Sequence, residues 1–367
     1  MAERSYLPTD VVERFMTDVF IALGVPEEDA RISTDVLISS DLRGIESHGV
    51  GRLKYYYDRI VSGRHLPTTE FEIVKETETT ALIDGHHGMG HPIANRAMRM
   101  AMDKAKRYGT GAVAVRNGTH FGIAGYYPLM AAAEGMVGFC FTNARPSIPP
   151  TFGTEPMMGT NPIAFAAPSD QGFPFCFDGA TAIIQRGKVE CAAREEKPLP
   201  DGTIVDPRGE CLTDPDIILS EMVKGNAAAL AIGGAGEEHG GHKGYGLAAM
   251  VEVLSASFCN GVFLKDLSGF AEDGSPAHFR LGHFFLAIDV EHFLPLEEFE
   301  RTTGAIMRAL QCSRKAPGQD RIYVAGEKER ENEQRIRQEG IPANSNLLKD
   351  LATVRDELGI KGYDEYF

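Results

Sequence analysis

Two apolar runs constrain this chain more than any other feature. GTGAVAVRN (109–117) and MVGFCFTNA (136–144) are strand-length runs of small, β-branched and aromatic residues, and each follows a stretch with helical spacing. Continuous apolar runs belong to strands covered on both faces, and strands alternating with helices define an α/β sheet. The pattern extends in both directions. Residues 71–84 (FEIVKETETTALID) alternate as a hairpin does, 92–108 form an amphipathic helix, and 123–135 read as helical. FPFCFD (173–178) and HFRLGHFFLAIDV (278–290) read as strands, and 295–311 as an amphipathic helix.

The two ends differ from this middle. Residues 8–64 carry three helices. The first has Val11, Val12, Phe15, Met16, Val19, Phe20 and Leu23 at helical spacing and stops at Gly24 and Pro26. The second covers 27–41, and the third follows Ser47-His48-Gly49. From Gly326 the chain is charged and helical, broken at Gly340-Ile341-Pro342, and helical again to Leu358. The expected division is therefore a helical part at 1–75, an α/β region at 76–299, and a helical part at 300–367. The Pro- and Gly-rich stretch 145–174 reads as irregular, residues 194–216 as turn-rich, and 240–246 as a Gly-rich loop before a long apolar helix.

The charge balance narrows the function. Fifty-two acidic against 37 basic residues give a formal charge of −15. A nucleic-acid binder would carry a basic stripe, and a protein held to anionic lipid a polybasic segment. An anionic ligand must therefore be held by a few positioned cations. Six scattered cysteines are too few for a disulfide scaffold and suit free thiols in a reducing cytoplasm. The N-terminal MAERSYLPTDVVERF has no apolar stretch behind its charges, and no apolar run reaches 18 residues, so neither leader nor membrane span is expected.

Familiar signatures are missing. Gly109-Thr110-Gly111-Ala112-Val113-Ala114 fits G-x-G-x-x-A, but it follows a helix and opens a strand, the reverse of what a pyrophosphate site needs. There is no phosphate-binding G-x-x-x-x-G-K-[ST] and no G-x-S-x-G. His86, His87 and His91, or His239 and His242, lack the spacing of a zinc site, so no metal is expected.

Three segments can carry chemistry. In DLRGIESHGVGRL (41–53), His48 and Arg52 are four residues apart. An arginine can fork a carboxylate while the histidine exchanges the proton of a neighbouring oxygen. A helix-capping Ser47 and a surface ion pair at Arg52 are the simpler alternative. Thr119-His120-Phe121-Gly122 lies at the carboxyl end of a strand, where α/β folds place ligands, or is only a strand-ending turn. Gly240 to Gly246, with His242 and Lys243, could cradle an anion ahead of a helix, or be a plain loop.

These segments together resemble the type-2 malate/L-lactate dehydrogenase family, with its sulfolactate, ureidoglycolate and diketogulonate enzymes. The likeness is carried by 41–53, ALIDGHHGMGHPIANRAM (81–98), RNGTHFGIAGYYPLMAA (116–132), GTNPIAFAAPS (159–169), FDGAT (177–181), GGHKGYGLAAMVEVLS (240–255), IDVEHFLPLEEF (288–299) and SRKAPGQDRI (313–322). The 41–53 and 288–299 stretches look most like its malate dehydrogenases.

The resemblance implies a non-Rossmann α/β fold with a mixed sheet, in which 76–299 is the cofactor-binding and catalytic region, binding NAD or NADP, and the helical part at 300–367 packs back on that at 1–75, in a homodimer. It implies acid/base work at His48 or His120, with Ser47 beside His48 and Asp178 orienting the histidine. Arg52, with Tyr56, Thr160 and Asn161, would hold a small anionic substrate. Asp178, Gly179, Ala180, Thr181, Ala144, His242, Lys243, Gly326, Glu327 and Lys328 would meet the cofactor. The implied reaction is hydride transfer between NAD(P) and a 2-hydroxy acid, malate first. Lactate, sulfolactate or ureidoglycolate oxidation, reduction of a keto acid or cyclic imine, and a catalytically impaired nicotinamide-binding protein are the rivals. Three positions depart from the family pattern: Gly179 stands for its Met, Ala144 for its Ser, and Phe152 for a Gly. The missing Met side chain is expected to open space beside the cofactor.

Overall fold

The computed structural model describes residues 5–194 and 196–367. The first four residues of the segment examined for a leader thus lie outside the described residues. Seven strands form the central sheet: β2 (Glu72–Glu76), β3 (Thr80–Asp84), β4 (Thr110–Gly118), β5 (Met136–Thr142), β6 (Ile163–Ala167), β7 (Phe175–Gly179) and β10 (Leu281–Asp289). Their spatial order is β2-β3-β4-β10-β5-β6-β7. Only β3 and β4 pair in parallel; every other neighbour is antiparallel, so the sheet is mixed.

Helices α4 (Gly90–Tyr108) and α5 (Tyr126–Ala133) share one apolar cluster with the sheet, built on Ile93, Met98, Val113, Val115, Tyr127 and Phe285. Gly111 explains how α4 packs so closely. A Cβ there would lie 2.0 Å from the Ala101 carbonyl oxygen, so this glycine serves helix–strand contact and not a phosphate.

A second cluster joins the two ends of the chain. Helices α1 (Thr9–Ala22), α2 (Glu27–Leu42) and α3 (Leu53–Val61) pack with α10 (Glu327–Glu339) and α11 (Ser345–Leu358) through Phe15, Met16, Phe20, Leu37, Tyr56, Ile336 and Leu351. Strand β1 (Ser5–Leu7) pairs antiparallel with β11 (Ile341–Ala343), where the sequence read only a break. A third cluster, with Ile148, Val189, Ile204 and Ile218, holds α6 (Arg186–Arg194), α7 (Pro215–Lys224) and the short pair β8 (Ile204–Val205) and β9 (Ala228–Ala229). Asp214 caps α7 by accepting from Asp216 N (3.0 Å) and Ile217 N (3.1 Å). Helix α9 (Leu296–Gln311) sits outside the sheet.

Two local expectations are corrected. The stretch 145–174 contains β6, which pairs with both β5 and β7. Residues 241–246 are not a loop but the first turns of α8 (Gly241–Ala256), entered through left-handed Gly240. Among the described residues no helix is long and apolar enough to cross a membrane, and no three His, Cys, Asp or Glu side chains converge as metal ligands.

Candidate active site

The His48 loop is set from behind by a buried acid. Asp41, near the end of α2, accepts from Val50 N at 2.7 Å. The loop passes so close that a Cβ on Gly49 would lie 1.9 Å from Asp41 Oδ1. Burial, with the Glu46 charge adding to it, pushes the Asp41 carboxyl up to about 8, so it holds its proton at neutral pH. A 3₁₀ turn (Val50–Arg52) follows and leads into α3.

This path brings Ser47, His48 and Arg52 together. Ser47 Oγ is 2.9 Å from His48 Nδ1, and Arg52 Nε donates to the Ser47 carbonyl oxygen at 2.6 Å. Ser47 therefore supports the histidine and caps no helix. Arg52 has no carboxylate within ion-pair distance among the described residues, which removes the surface ion pair as its explanation. Burial first, and the Arg52 charge second, depress His48 to about 4, so it is neutral and can accept a proton.

His120 arrives from the carboxyl end of β4, and its ring stacks on that of His48 with centroids 5.5 Å apart. Its Nδ1 lies 2.6 Å from Tyr56 Oη and 3.3 Å from Gly122 N. The Gly122 N–H can only donate, so Nδ1 is an acceptor and the ring proton sits on Nε2. Tyr56 Oη in turn lies 3.0 Å from His91 Nε2, which completes a buried chain His91–Tyr56–His120. Burial, and then the charges of His48 and Arg52, hold His120 well below its ordinary range.

Asp178, at the end of β7, accepts from Gly125 N at 2.7 Å. Its side chain opens to solvent although the chain packs densely around it, and burial pushes its carboxyl up to about 6. The structure gives it no hydrogen bond to either histidine; Ser47 and Tyr56 orient the rings. Thr160 is half-buried, with its carbonyl accepting from Thr181 N and Thr181 Oγ1. Asn161 is fully buried and donates to Ala248 O (3.0 Å) and Glu252 (2.8 Å), which ties the wall to α8.

A continuous wall leads from Asp178 to the N-terminus of α8. After Gly179, Ala180 and Thr181, Ala182 bridges to Ala231, and the chain turns through a run of glycines into α8. A Cβ on Gly241 would meet Gly234 O at 1.9 Å, and one on Gly244 would meet Ile232 O at 2.0 Å. These close approaches pack the glycine turn against the start of α8, whose N-terminus carries the exposed His242 and Lys243, and a helix N-terminus with a nearby cation suits a phosphate-bearing dinucleotide. Gly326 approaches β7, where its Cβ would be 2.9 Å from Pro174 O; Glu327 accepts from Val324 N and Arg321, and Lys328 lies 4.6 Å from the Tyr323 ring. Ala144 lies against Gly159. The space expected at Gly179 is not open. A Cβ there would sit 2.7 Å from Phe177 Cζ, so the Phe177 ring takes that place.

Sequence reasoning missed Tyr55, Arg59 and His91. The first two were within reach, because Arg52, Tyr55, Tyr56 and Arg59 fall on one helix face at i, i+3, i+4 and i+7.

A mixed-sheet α/β domain with an arginine that has no ion-pair partner among the described residues, beside two neutral histidines, suits a dehydrogenase of 2-hydroxy acids, and the family and its relatives show the chain to be one. The chain belongs to the malate/L-lactate dehydrogenase family, whose model matches residues 7–352. It is 42% identical to malate dehydrogenase of Pyrococcus abyssi, over 98% of this chain and 96% of that one. It is 38% identical to L-sulfolactate dehydrogenase of Methanocaldococcus jannaschii, over 95% and 96%. Its structure superposes on the crystal structure of malate dehydrogenase from Entamoeba histolytica with a TM-score of 0.95 and 43% identity, covering 98% and 99%. Dehydrogenases of this family use a nicotinamide cofactor, NAD or NADP.

Proposed function

We propose that this enzyme interconverts malate and oxaloacetate with NAD or NADP, and that His48 is the acid/base. The observation that carries the assignment is the different bonding of the two histidines. Ser47 Oγ, on His48 Nδ1, can donate or accept, so His48 Nε2 can be free to take a proton and later return it. His120 Nδ1 receives the Gly122 N–H, which leaves an Nε2–H to donate to the substrate oxygen. Arg52 grips the carboxylate beside the reacting carbon. When bound, the nicotinamide supplies the acceptor for the hydride that leaves carbon 2. Asp178 to Thr181, Ala144, His242, Lys243 and Gly326 to Lys328 would hold the cofactor. As the alkoxide forms, His48 takes the hydroxyl proton, and the His120 N–H and Arg52 stabilise the developing charge.

An initial-rate screen of malate, lactate, sulfolactate and ureidoglycolate with NAD and NADP tests this. Malate should give the highest kcat/KM. Turnover of none of them would sink the reading, and NADH or NADPH binding in a fluorescence titration without turnover would favour a catalytically impaired nicotinamide-binding protein. Substrate KM should rise with salt, since a locally cationic cleft on a chain of charge −15 attracts anions through a screened field. The homodimer is supported by an exposed apolar stripe on α8, made of Leu247, Met250 and Val253 and continued by Phe258. A cytoplasmic location is supported by the six free thiols.

A further inference from the structure

A row of cations without counter-ions continues from the histidines away from Arg52. Arg59, Arg64 and Arg145 share with Arg52 the lack of any carboxylate within ion-pair distance among the described residues, in a chain where acids outnumber bases 52 to 37. Two aromatic rings set their spacing. The Arg52 and Arg59 guanidinium carbons lie 5.8 and 5.0 Å from the centroid of Tyr55, whose ring is itself 5.8 Å from that of His120. Arg59 also lies 4.7 Å from the Phe279 ring, which Arg145 approaches to 6.0 Å. Arg145 comes from the loop after β5, so two distant parts of the chain place like charges side by side.

Such an arrangement is unfavourable while it is empty of anions. Burial, and then the Arg59 charge, lower both Arg64 and Arg145 from their ordinary range. Half-buried and exposed cations held side by side are stabilised when a ligand brings the opposite charge. A carboxylate held by Arg52 next to His48 occupies one end. A four-carbon dianion flanked by guanidiniums at both ends spans on the order of 10 Å between guanidinium carbons, and the shared Tyr55 ring keeps Arg52 and Arg59 no farther apart than that scale allows.

We propose that Arg59 and Arg145 form a second anion subsite that receives the distal carboxylate or sulfonate of a 2-hydroxy acid and selects dianionic over monocarboxylic substrates. This rests on the reading of His48, His120 and Arg52 as a hydroxy-acid site. A methyl group at the distal end, as in lactate, leaves Arg59 and Arg145 unanswered and forfeits their binding. A group that matches them strengthens in proportion to its charge, and the selectivity follows from the unpaired groups and not from pocket size.

The test compares the wild-type enzyme with Arg59→Gln and Arg145→Gln on malate, sulfolactate and lactate. The wild type should prefer malate or sulfolactate to lactate by about 100-fold or more in kcat/KM. Each variant should lose about 30- to 300-fold on the dianions and stay within about threefold on lactate. The ratio of malate to sulfolactate turnover identifies which second anion the subsite prefers. Arg145→Lys, which keeps the charge without the fork, should recover part of the loss. Equal losses on lactate and malate would overturn the inference, as would a rise confined to the KM of the cofactor, which would place the arginines against its phosphates. If no hydroxy acid is turned over, the functional reading fails separately. Calorimetric titration of malate and lactate then still reads the subsite, which stands if malate alone binds and Arg145→Gln abolishes it, and falls if both bind alike.

Discussion

On α10 and the segment before it, arginines find acids. Arg330 and Arg337 both meet Glu333 (3.7 and 2.8 Å), Arg335 meets Glu339 (3.2 Å), and Arg321 meets Glu327 and Glu331. In the cleft, Arg52, Arg59, Arg64 and Arg145 meet aromatic rings instead. The side chain is the same and the overall charge is acidic, so pairing would have been easy to supply in both places. Where the partners are present, the charges cancel locally and make a solvated helix surface. Where they are missing, a positive field remains, pointed at the two histidines. Net charge therefore says little about where this protein holds anions, and the pairing pattern says a great deal.

The comparison can be broken at its centre first. His48→Ala should lower kcat by about 10²- to 10⁴-fold, the usual worth of a positioned acid/base, while His120→Ala should cost less and raise KM as well. The pH profile adds an independent reading. Because His48 is depressed to about 4, the acid limb of kcat/KM for oxidation should lie near that value, with no inflection around 6.5. An inflection near 6.5 would mean that the base is a solvated histidine elsewhere. Next in size, Arg52→Ala should reduce kcat/KM by about 10²- to 10³-fold, since a charge-assisted fork to the substrate carboxylate is lost; unchanged kinetics would remove it from the site.

Much of this was legible in the chain, and the gaps have physical reasons. The buried strands at 109–117 and 136–144 and the hairpin at 71–84 stand out because their periodicity is strong. β6 is only five residues long and lies between Pro162 and Pro168, so the turn residues around it dominate any window. The glycines before α8 read as a flexible loop, yet Gly241 and Gly244 are there because carbonyls approach them within the space of a Cβ, a tertiary reason that propensity cannot see. Arg52 and His48 could be paired by spacing alone. Arg145 could not, because its neighbours Arg59 and Phe279 come from α3 and from the segment before β10. Asp178 was assigned the orienting role that Tyr56 and Ser47 have the hydrogen bonds to perform.

A smaller effect comes from the buried acid behind the His48 loop. Asp41 has a folded-state value of about 8 against an ordinary 3.8, so between those values the folded chain binds more protons than the unfolded one. Its contribution to stability must therefore fall as pH rises from about 4 to about 8. Asp41→Asn keeps an oxygen for the Val50 N–H and has no titration. Its melting temperature relative to the wild type should climb steadily across that window. Parallel curves for the two proteins would show that Asp41 is ionised and stabilised by something other than the Val50 bond.

The smallest effect belongs to the other side of the comparison. Arg335 and Arg337 are about half exposed, and their partners are four residues away on the same helix. Pairs of this kind contribute about 0.3–0.5 kcal/mol each, because water already solvates both ends and ordering two long side chains costs entropy. Arg335→Gln with Arg337→Gln should thus shift stability by less than about 1 kcal/mol and leave kcat/KM for malate within about twofold. The same two-charge removal made in the cleft is expected to cost orders of magnitude in activity while barely moving the melting temperature. If the α10 double variant instead lowers activity as the cleft variants do, the active-site field is a property of total charge, and the distinction between paired and unpaired arginines loses its meaning.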